Sequence, residues 1–191
     1  MCRKIIGILI FAVCGQLVAQ QANDVPTKED LAIIEIVASH FSARSDTLPY
    51  DKNGILLIRG DTPQLSRYSN SEQIVKLGKE RGVDLPPQLV SALIKRNQKT
   101  VSLKGLLKEQ KSFRLATNQE TSKPIWDLRS KKQPPIKTLA SFALPAYSPD
   151  HSQAIVRLEF NWSIHSADAT YLLTKEKNSW KIISSFLVFY P

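Results

Sequence analysis

The stretch AIVRLEFNWSIH, residues 154–165, decides the fold class, because apolar and polar side chains alternate along most of it. Such alternation is typical of a β-strand with one face buried in the core and the other facing solvent. The apolar positions are Ala154, Val156, Leu158, Phe160, Trp162 and Ile164. The polar positions are Arg157, Glu159, Asn161, Ser163 and His165. We expect this polar row either to face solvent with an ordinary ion pair, or to line a pocket in which Arg157, Glu159, Asn161 and His165 bind a ligand.

Two further strands are predicted after this stretch. One contains Thr170–Leu173, a turn follows at Lys175–Asn178, and the other runs over Trp180–Phe189. The last strand is apolar on both faces toward its end, which predicts a central place in the sheet or cover by a helix. Because the links are short, the three strands are expected to form an antiparallel meander.

The segments before this stretch mix shorter strands with turns. A strand is expected over Leu139–Leu144, and Ser148–His151 has the composition of a turn. An apolar run between Gly54 and Gly60 predicts a buried strand, and residues 112–116 alternate like a short one. Residues 124–128 indicate a helical turn, and the paired prolines in 131–135 indicate a loop.

Three helices are predicted in the first half of the chain. A helix over 28–43 has Thr27 as its cap with Asp30 three residues later, and a second over 72–81 follows a cap at Asn70 or Ser69. Asp84 is expected to cap the third, with two prolines in its first turn. Helices first and strands last predict an α+β fold with the N-terminal helices packed on one face of a mainly antiparallel sheet that ends in the meander.

Residues 1–19, MCRKIIGILIFAVCGQLVA, have the order of a secretory signal: positive charge, an apolar run, then a small residue. We expect cleavage after Ala19, leaving a single domain over 20–191 and an exported, periplasmic or secreted protein. An uncleaved anchor and lipid attachment at Cys14 stay open as alternatives. Cys2 and Cys14 are the only cysteines, so the mature chain would carry no thiol and no disulfide.

Positive charge is concentrated in the middle of the chain. Loss of Arg3 and Lys4 from 26 basic residues leaves 24 against 17 acidic ones. Residues 92–137 hold 12 basic and 3 acidic side chains, so the whole basic excess of the mature chain lies in this stretch. The candidates for an anion-binding surface are Lys104, Lys108, Lys111, Arg114, Lys131 and Lys132. Outside the cytoplasm such a surface would meet anionic envelope components and allow peripheral membrane contact; a purely solubilising surface is the alternative. Aromatic side chains are sparse there, so no specific nucleic acid is expected.

The residue pattern points to no catalytic machinery, metal or cofactor. The chain has three histidines, spaced far apart at positions 40, 151 and 165, and metal sites need ligands at close quarters. Asp150-His151-Ser152 contains the residue types of a catalytic triad, but neighbouring side chains diverge, and turn chemistry accounts for Asp150. The glycines form neither a dinucleotide-binding nor a P-loop spacing.

The C-terminal part carries a family resemblance. Its elements are Tyr147-Ser148-Pro149-Asp150, Ala154-Ile155-Val156, Tyr171-Leu172-Leu173 and Trp180-Lys181-Ile182, preceded by Ile125-Trp126-Asp127-Leu128. Over about the last 70 residues this resembles the C-terminal β-meander of exported bacterial proteins of unknown function. The chain departs from that pattern at Asn161, Ser163 and His165, where relatives carry Cys and Gly, and at Asn178-Ser179, which replaces a Gly. The resemblance implies a β-sheet and export, and it implies no catalytic residue.

These observations lead to a first hypothesis and several alternatives. The first is a non-enzymatic envelope or secreted module that binds its partner, an anionic envelope component or an unknown protein, through its sheet face or its basic surface. One alternative is a small-ligand carrier or hydrolase-like enzyme with a pocket between the first helix and the sheet, using Arg157, Glu159 or His165. Another is binding of anionic polymers or membrane surfaces through 92–137. A structural partner protein would show an exposed apolar patch near residues 186–190.

Overall fold

The computed structural model describes residues 25–44, 54–65, 70–131, 135–162 and 165–190. The predicted signal segment, its two cysteines, residues 132–134 and Ser163 lie outside this description, so the predictions made for them remain predictions. Residues 129–131, 162 and 165 belong to described helices or strands, but their side chains are outside the description as well.

Seven strands and five helices make up the described chain. The strands are β1 (Ile55–Ile58), β2 (Phe113–Leu115), β3 (Ile136–Phe142), β4 (Ala146–Tyr147), β5 (Gln153–Trp162), β6 (His165–Glu176) and β7 (Ser179–Phe189). The helices are α1 (Lys28–Ala43), α2 (Ser71–Glu80), α3 (Pro87–Arg96), α4 (Asn118–Thr121) and α5 (Ile125–Lys131). Among the described residues, none of these helices has the length and apolar character needed to cross a membrane.

All seven strands belong to one mixed sheet. Its order is β2-β1-β3-β5-β6-β7, with β4 paired to β5 beside that path. The pairs β1–β2 and β1–β3 are parallel, and the pairs from β3 onward are antiparallel. The α+β class and the C-terminal meander of β5, β6 and β7 are therefore confirmed. Of the two alternatives predicted for the last strand, a central position is wrong, because β7 is the edge strand of the sheet. Cover by helices is confirmed, since Phe186 of β7 is buried in a core shared with α2 and α3.

Helices cover both faces of the sheet, so the prediction of a single covered face is wrong. On one face, α1 buries Ile34, Val37 and Phe41 against Val156 and Phe160. On the other face, α2 and α3 share a second core with β4, β5, β6 and β7, and α5 packs beside β3 over a third. The reason lies in the strands themselves: β5, β6 and β7 carry apolar side chains on both faces, and each face has to be removed from water.

The predicted helix starts hold for two helices and fail for the third. At α1, Thr27 Oγ1 accepts a hydrogen bond from the Asp30 backbone N–H, while the Asp30 carboxylate accepts one from the Thr27 N–H. At α2, Asn70 is the cap. Asp84 does not cap α3: Pro86 occupies the cap position and makes no side-chain hydrogen bond. Asp84 stands two positions before Pro86, too far along the chain for its carboxylate to act as the N-cap acceptor.

A buried ion pair fastens α1 to α3 and β4. Asp30 is fully buried, and Arg96 donates to both of its oxygens, at 2.8 Å to Oδ1 and 2.7 Å to Oδ2. The Tyr147 hydroxyl donates to the same carboxylate at 2.7 Å. Arg96 also donates to the Pro145 carbonyl. Three separate elements are therefore held to one carboxylate.

Candidate functional site

The polar row of β5 continues onto the neighbouring strand. Cross-strand pairing sets Arg157 opposite Thr170, Glu159 opposite Asp168, and Asn161 opposite Ser166. Paired residues of an antiparallel ladder share a face, so these six positions form one polar strip. It lies on the side of the sheet away from α1.

His165 is not part of this strip. β5 ends at Trp162 and β6 begins at His165, and these two residues pair with each other. His165 therefore lies on β6, across the hairpin from the strand that carries Arg157 and Glu159. Its side chain is outside the described residues, so its predicted part in a ligand site stays a prediction.

A pocket of about 300 Å³ lies where α2 passes over the strip. Its lining residues are Gln73, Ile74, Leu77, Arg157, Glu159, Ser166, Asp168 and Tyr190. The polar side chains of the strip do not pack into the apolar side of α2 as closely as apolar side chains would, and a cavity remains between the helix and the sheet. The pocket lies on the face opposite α1, where Ile33, Ile34 and Phe41 are fully buried in packed core. This pocket therefore differs in place from the one predicted between the first helix and the sheet, although Arg157 and Glu159 line it as predicted for a sheet pocket.

Arg157 forms the centre of a buried polar group in this pocket. It makes an ion pair with Asp168, whose side chain is 10 % exposed against 8 % for the arginine. The Tyr190 hydroxyl donates to Asp168 Oδ2 at 2.6 Å, and Arg157 Nη2 lies 3.4 Å from the tyrosine oxygen. Arg157 Nε is buried and has no hydrogen-bond partner among the described residues. The predicted alternative of a solvated face is wrong at Arg157, which is buried.

Glu159 is the pocket carboxylate without a hydrogen bond or ion pair to any residue that the structure describes. Burial raises the pKa of its carboxyl above 4.5, the charge of Asp168 raises it further, and Arg157 and Arg59 act in the opposite direction. Burial also raises the pKa of Tyr190 to about 12, together with its hydrogen bond to Asp168. The pocket therefore contains one ion pair and one carboxyl group that has no direct partner among the described residues.

Sequence reasoning missed Asp168 and Tyr190 and included Asn161, which is half-buried but does not line the pocket. A usable signal for Asp168 existed: Ser166, Asp168 and Thr170 alternate with small apolar residues in the same way as the polar positions of β5. Tyr190 gives no such signal, because it stands beyond the end of β7 and reaches the pocket through the pairing of its backbone N–H with the Ser166 carbonyl.

The basic stretch separates into exposed and internally paired side chains. Lys104, Lys108 and Lys111, here called the lysine loop, are exposed. No described residue forms a salt bridge with any of the three. Arg114 instead makes two hydrogen bonds of 2.8 Å to the buried Glu120. Its charge is thus paired within the protein, and its predicted part in an anion-binding surface stays a prediction. The Lys131 side chain and all of Lys132 lie outside the described residues.

Asp150-His151-Ser152 forms a turn, as predicted. The Asp150 carboxylate accepts hydrogen bonds from Ser148 Oγ at 2.6 Å and from the Ser152 N–H at 3.1 Å. These bonds lower the pKa of Asp150 to about 2. His151 has a φ of 54° and stacks on Tyr147, so the three side chains do not converge on a common point.

Residues 186–190 do not form one exposed apolar patch. Phe186 is buried in the core shared with α2 and α3, whereas Phe189 and Tyr190 are exposed by 45 % and 37 %. Tyr190, moreover, gives its hydroxyl to the pocket. These residues therefore belong partly to the core, partly to the surface and partly to the pocket, and they do not form the exposed apolar patch expected of a structural partner protein.

Comparisons with known proteins give no match: a scan against family models, a search of curated proteins and a search of solved structures each found no significant similarity. Among the residues that the structure describes, no group of three or more His, Cys, Asp or Glu side chains is placed to hold a metal ion. The geometry of the pocket and the exposure of the lysine loop are thus the observations from which function can be argued.

Proposed function

We propose that the chain is an exported, non-enzymatic binding module that holds a small polar ligand in the pocket between α2 and the β5–β6 strip. The observation that carries this proposal is the Glu159 carboxylate, half-buried in a concave site without a protein partner among the described residues. A polar group removed from water without a partner costs free energy, and a bound ligand that donates to it recovers that cost.

The rest of the pocket favours recognition over reaction. Arg157, Asp168 and Tyr190 are bonded to one another, which makes a pre-organised polar wall. Ile74 and Leu77 supply an apolar wall from α2. A few fixed polar groups against an apolar surface are the usual composition of a small-ligand site. Export is supported by the order of residues 1–19 and by the lack of cysteine after them.

Ligand binding is tested by thermal melting of the purified protein against a panel of small cations, anions, zwitterions and neutral sugars. A pocket-filling variant, Ser166→Trp, should lose the response to any member that stabilises the parent protein. Ser179→Trp, at an exposed serine outside the pocket, is the matched control and should keep it. A panel without a stabilising member of any class, or equal responses of the two variants, contradicts the proposal. Consumption of the bound compound would favour the hydrolase-like alternative.

Export is tested separately by cell fractionation. The full chain with a C-terminal tag is expressed in a bacterium, and the size and location of the product are measured. The proposal expects a product in the periplasm or medium, shortened by the length of residues 1–19. A full-length product that stays in the cytoplasm contradicts export, and a full-length product in the membrane favours the uncleaved anchor.

A second candidate function rests on the lysine loop. Its three lysines stand within eight residues of one another, exposed and without a carboxylate partner among the described residues. Contacts of this kind with anionic polymers or lipid headgroups depend strongly on salt, because binding releases counterions.

The test is retention of the protein on heparin and on anionic liposomes as a function of salt. Replacing the three lysines of the loop with Gln should move elution to clearly lower salt. The matched control replaces Lys76, Lys79 and Lys177, which are exposed elsewhere, so that the net charge falls equally. An equal change in both variants would mean that overall charge, and not the loop, determines retention.

A further inference from the structure

We propose that the ligand of the α2–sheet pocket carries a cationic head group, an ammonium or a guanidinium, held between the carboxylates of Glu159 and Asp168 with its apolar part against Ile74 and Leu77. This inference rests on the proposed binding function and specifies the chemistry of the ligand.

The two carboxylates are direct cross-strand partners in the β5–β6 ladder. Cβ atoms of such partners lie about 4.5–5.5 Å apart, and like charges placed directly opposite each other destabilise a sheet. Both residues line the pocket, so a small molecule that enters it comes close to both negative charges. A bound cation pairs with Glu159, the carboxylate without a direct partner, and weakens the repulsion between Glu159 and Asp168.

Arg157 does not already provide that cation. Its ion pair with Asp168 uses a single contact, from Nη2 to Oδ2, and the Tyr190 hydroxyl donates to the same oxygen. Arg157 Nε remains without a partner among the described residues, so the usual second contact with Asp168 is not made. No described residue donates a hydrogen bond to the other carboxylate oxygen of Asp168.

An anionic ligand fits the same geometry poorly. The positive charge of Arg157 is compensated by Asp168, and its unpaired Nε is buried where solvent does not reach it. Arg59, the other cation near Glu159, is half-buried and lies 3.4 Å from the Thr121 carbonyl of α4. An anion would have to displace Asp168 to reach Arg157, and would meet the repulsion of Glu159 in doing so.

The volume of the pocket limits the size of the ligand. At about 300 Å³, it lies at the lower end of small-molecule sites, which span roughly 300–1,000 Å³. A short-chain amine of the size of a decarboxylated amino acid places its head at the carboxylates and its chain on the α2 side. The apolar contact with Ile74 and Leu77 favours a branched aliphatic chain over a polar one.

Three probes of nearly equal shape separate the charge classes: isopentylamine is a cation, isocaproate is an anion, and leucine carries both charges. Each is added to the purified protein during thermal melting and during calorimetric titration. Isopentylamine at about ten times its Kd should raise the Tm by roughly 3–6 °C. Leucine should bind more weakly, because its carboxylate approaches Asp168, and isocaproate should give no shift. Equal or stronger binding of isocaproate overturns the inference, as does the absence of any shift with isopentylamine.

The variant Glu159→Gln keeps the shape of the side chain and removes its charge. It should weaken isopentylamine binding by roughly tenfold, since the amide oxygen still accepts a hydrogen bond but no longer carries the negative charge that makes the bond strong. Glu176→Gln, at an exposed glutamate outside the pocket, is the matched control and should bind as the parent does. Unchanged binding in Glu159→Gln also overturns the inference. If anions or neutral sugars bind in a manner that Ser166→Trp abolishes while amines do not bind, the pocket function survives and only the cationic ligand is wrong.

Discussion

Replacing Asp30 with Ala should destabilise the protein more than any exposed acidic substitution. The Asp30 carboxylate is fully buried and accepts five hydrogen bonds: two from Arg96, one from the Tyr147 hydroxyl, and two from the backbone and hydroxyl of Thr27. The substitution leaves Arg96, whose side chain is 14 % exposed, as a mostly buried charge without its anion. It also removes the acidic half of the α1 capping box.

The expected cost follows from these two losses. Breaking a buried ion pair by removing one partner costs about 3–5 kcal/mol, and loss of a helix cap costs about 1 kcal/mol. The two share hydrogen bonds and do not add fully, so about 4 kcal/mol is expected for Asp30→Ala. A domain of this size has a free energy of unfolding of about 5–15 kcal/mol, and the variant should therefore lie close to the limit of folding.

Urea unfolding followed by tryptophan fluorescence measures this cost, because the buried Trp180 packs 5.7 Å from the Tyr147 ring. Thr27→Ala isolates the capping contribution and should cost about 1 kcal/mol. Asp84→Ala is the matched control, an exposed aspartate before α3 that caps nothing, and it should stay within about 0.5 kcal/mol of the parent. A loss below about 1 kcal/mol for Asp30→Ala would refute the reasoning, since the buried pair would then carry no stability.

Two further variants test the pocket and the helix pair above it. Burial and the neighbouring charge of Asp168 raise the pKa of Glu159 in the folded protein above its ordinary value of 4.5. The folded state therefore loses stability as the pH rises from the ordinary glutamate pKa through the raised one, because the buried carboxyl ionises. Glu159→Gln should therefore melt at a higher temperature than the parent near neutral pH, with a gain that disappears below the ordinary glutamate pKa; a gain independent of pH would contradict this. Gly78→Ala should cost about 1–3 kcal/mol in urea unfolding, because the new Cβ would lie 2.9 Å from the Val83 carbonyl oxygen, and an unchanged midpoint would show that the α2–α3 turn gives way easily.

Much of the fold could be predicted because it depends on local patterns. The α1 stripe and its Thr27–Asp30 box set both the bounds and the start of a helix, and they were read correctly. The alternation in β5 identified the meander and the polar row. These features repeat every two or every 3.6 residues, so a short window of sequence contains all the information they need.

Other features could not be read in this way because they depend on where the chain turns and what it pairs with. The alternation from Asn161 to His165 continues through a reversal of direction, so periodicity alone assigned His165 to the wrong strand. The apolar character of β7 left a central place and cover by a helix as alternatives. Sheet order is set by pairing between segments, and β7 lies at the edge with Phe186 covered by α2 and α3. Arg114 was predicted to lie on the exposed basic surface, but in the folded protein its Nη1 donates a hydrogen bond to Glu120 Oε2 at 2.8 Å.

The sequence by itself determined the class of the fold, the main helices and strands, and the presence of Arg157 and Glu159 on one face of a strand. Only the tertiary structure decided that this face is a pocket. Asp168 reaches Arg157 across a hairpin and Tyr190 reaches it from the chain terminus, separations of 11 and 33 residues. The placement of α2 over the strip then removes these groups from bulk water, and burial changes their charge energetics. Long-range packing, which no local pattern encodes, is therefore what turns a polar row into a candidate binding site.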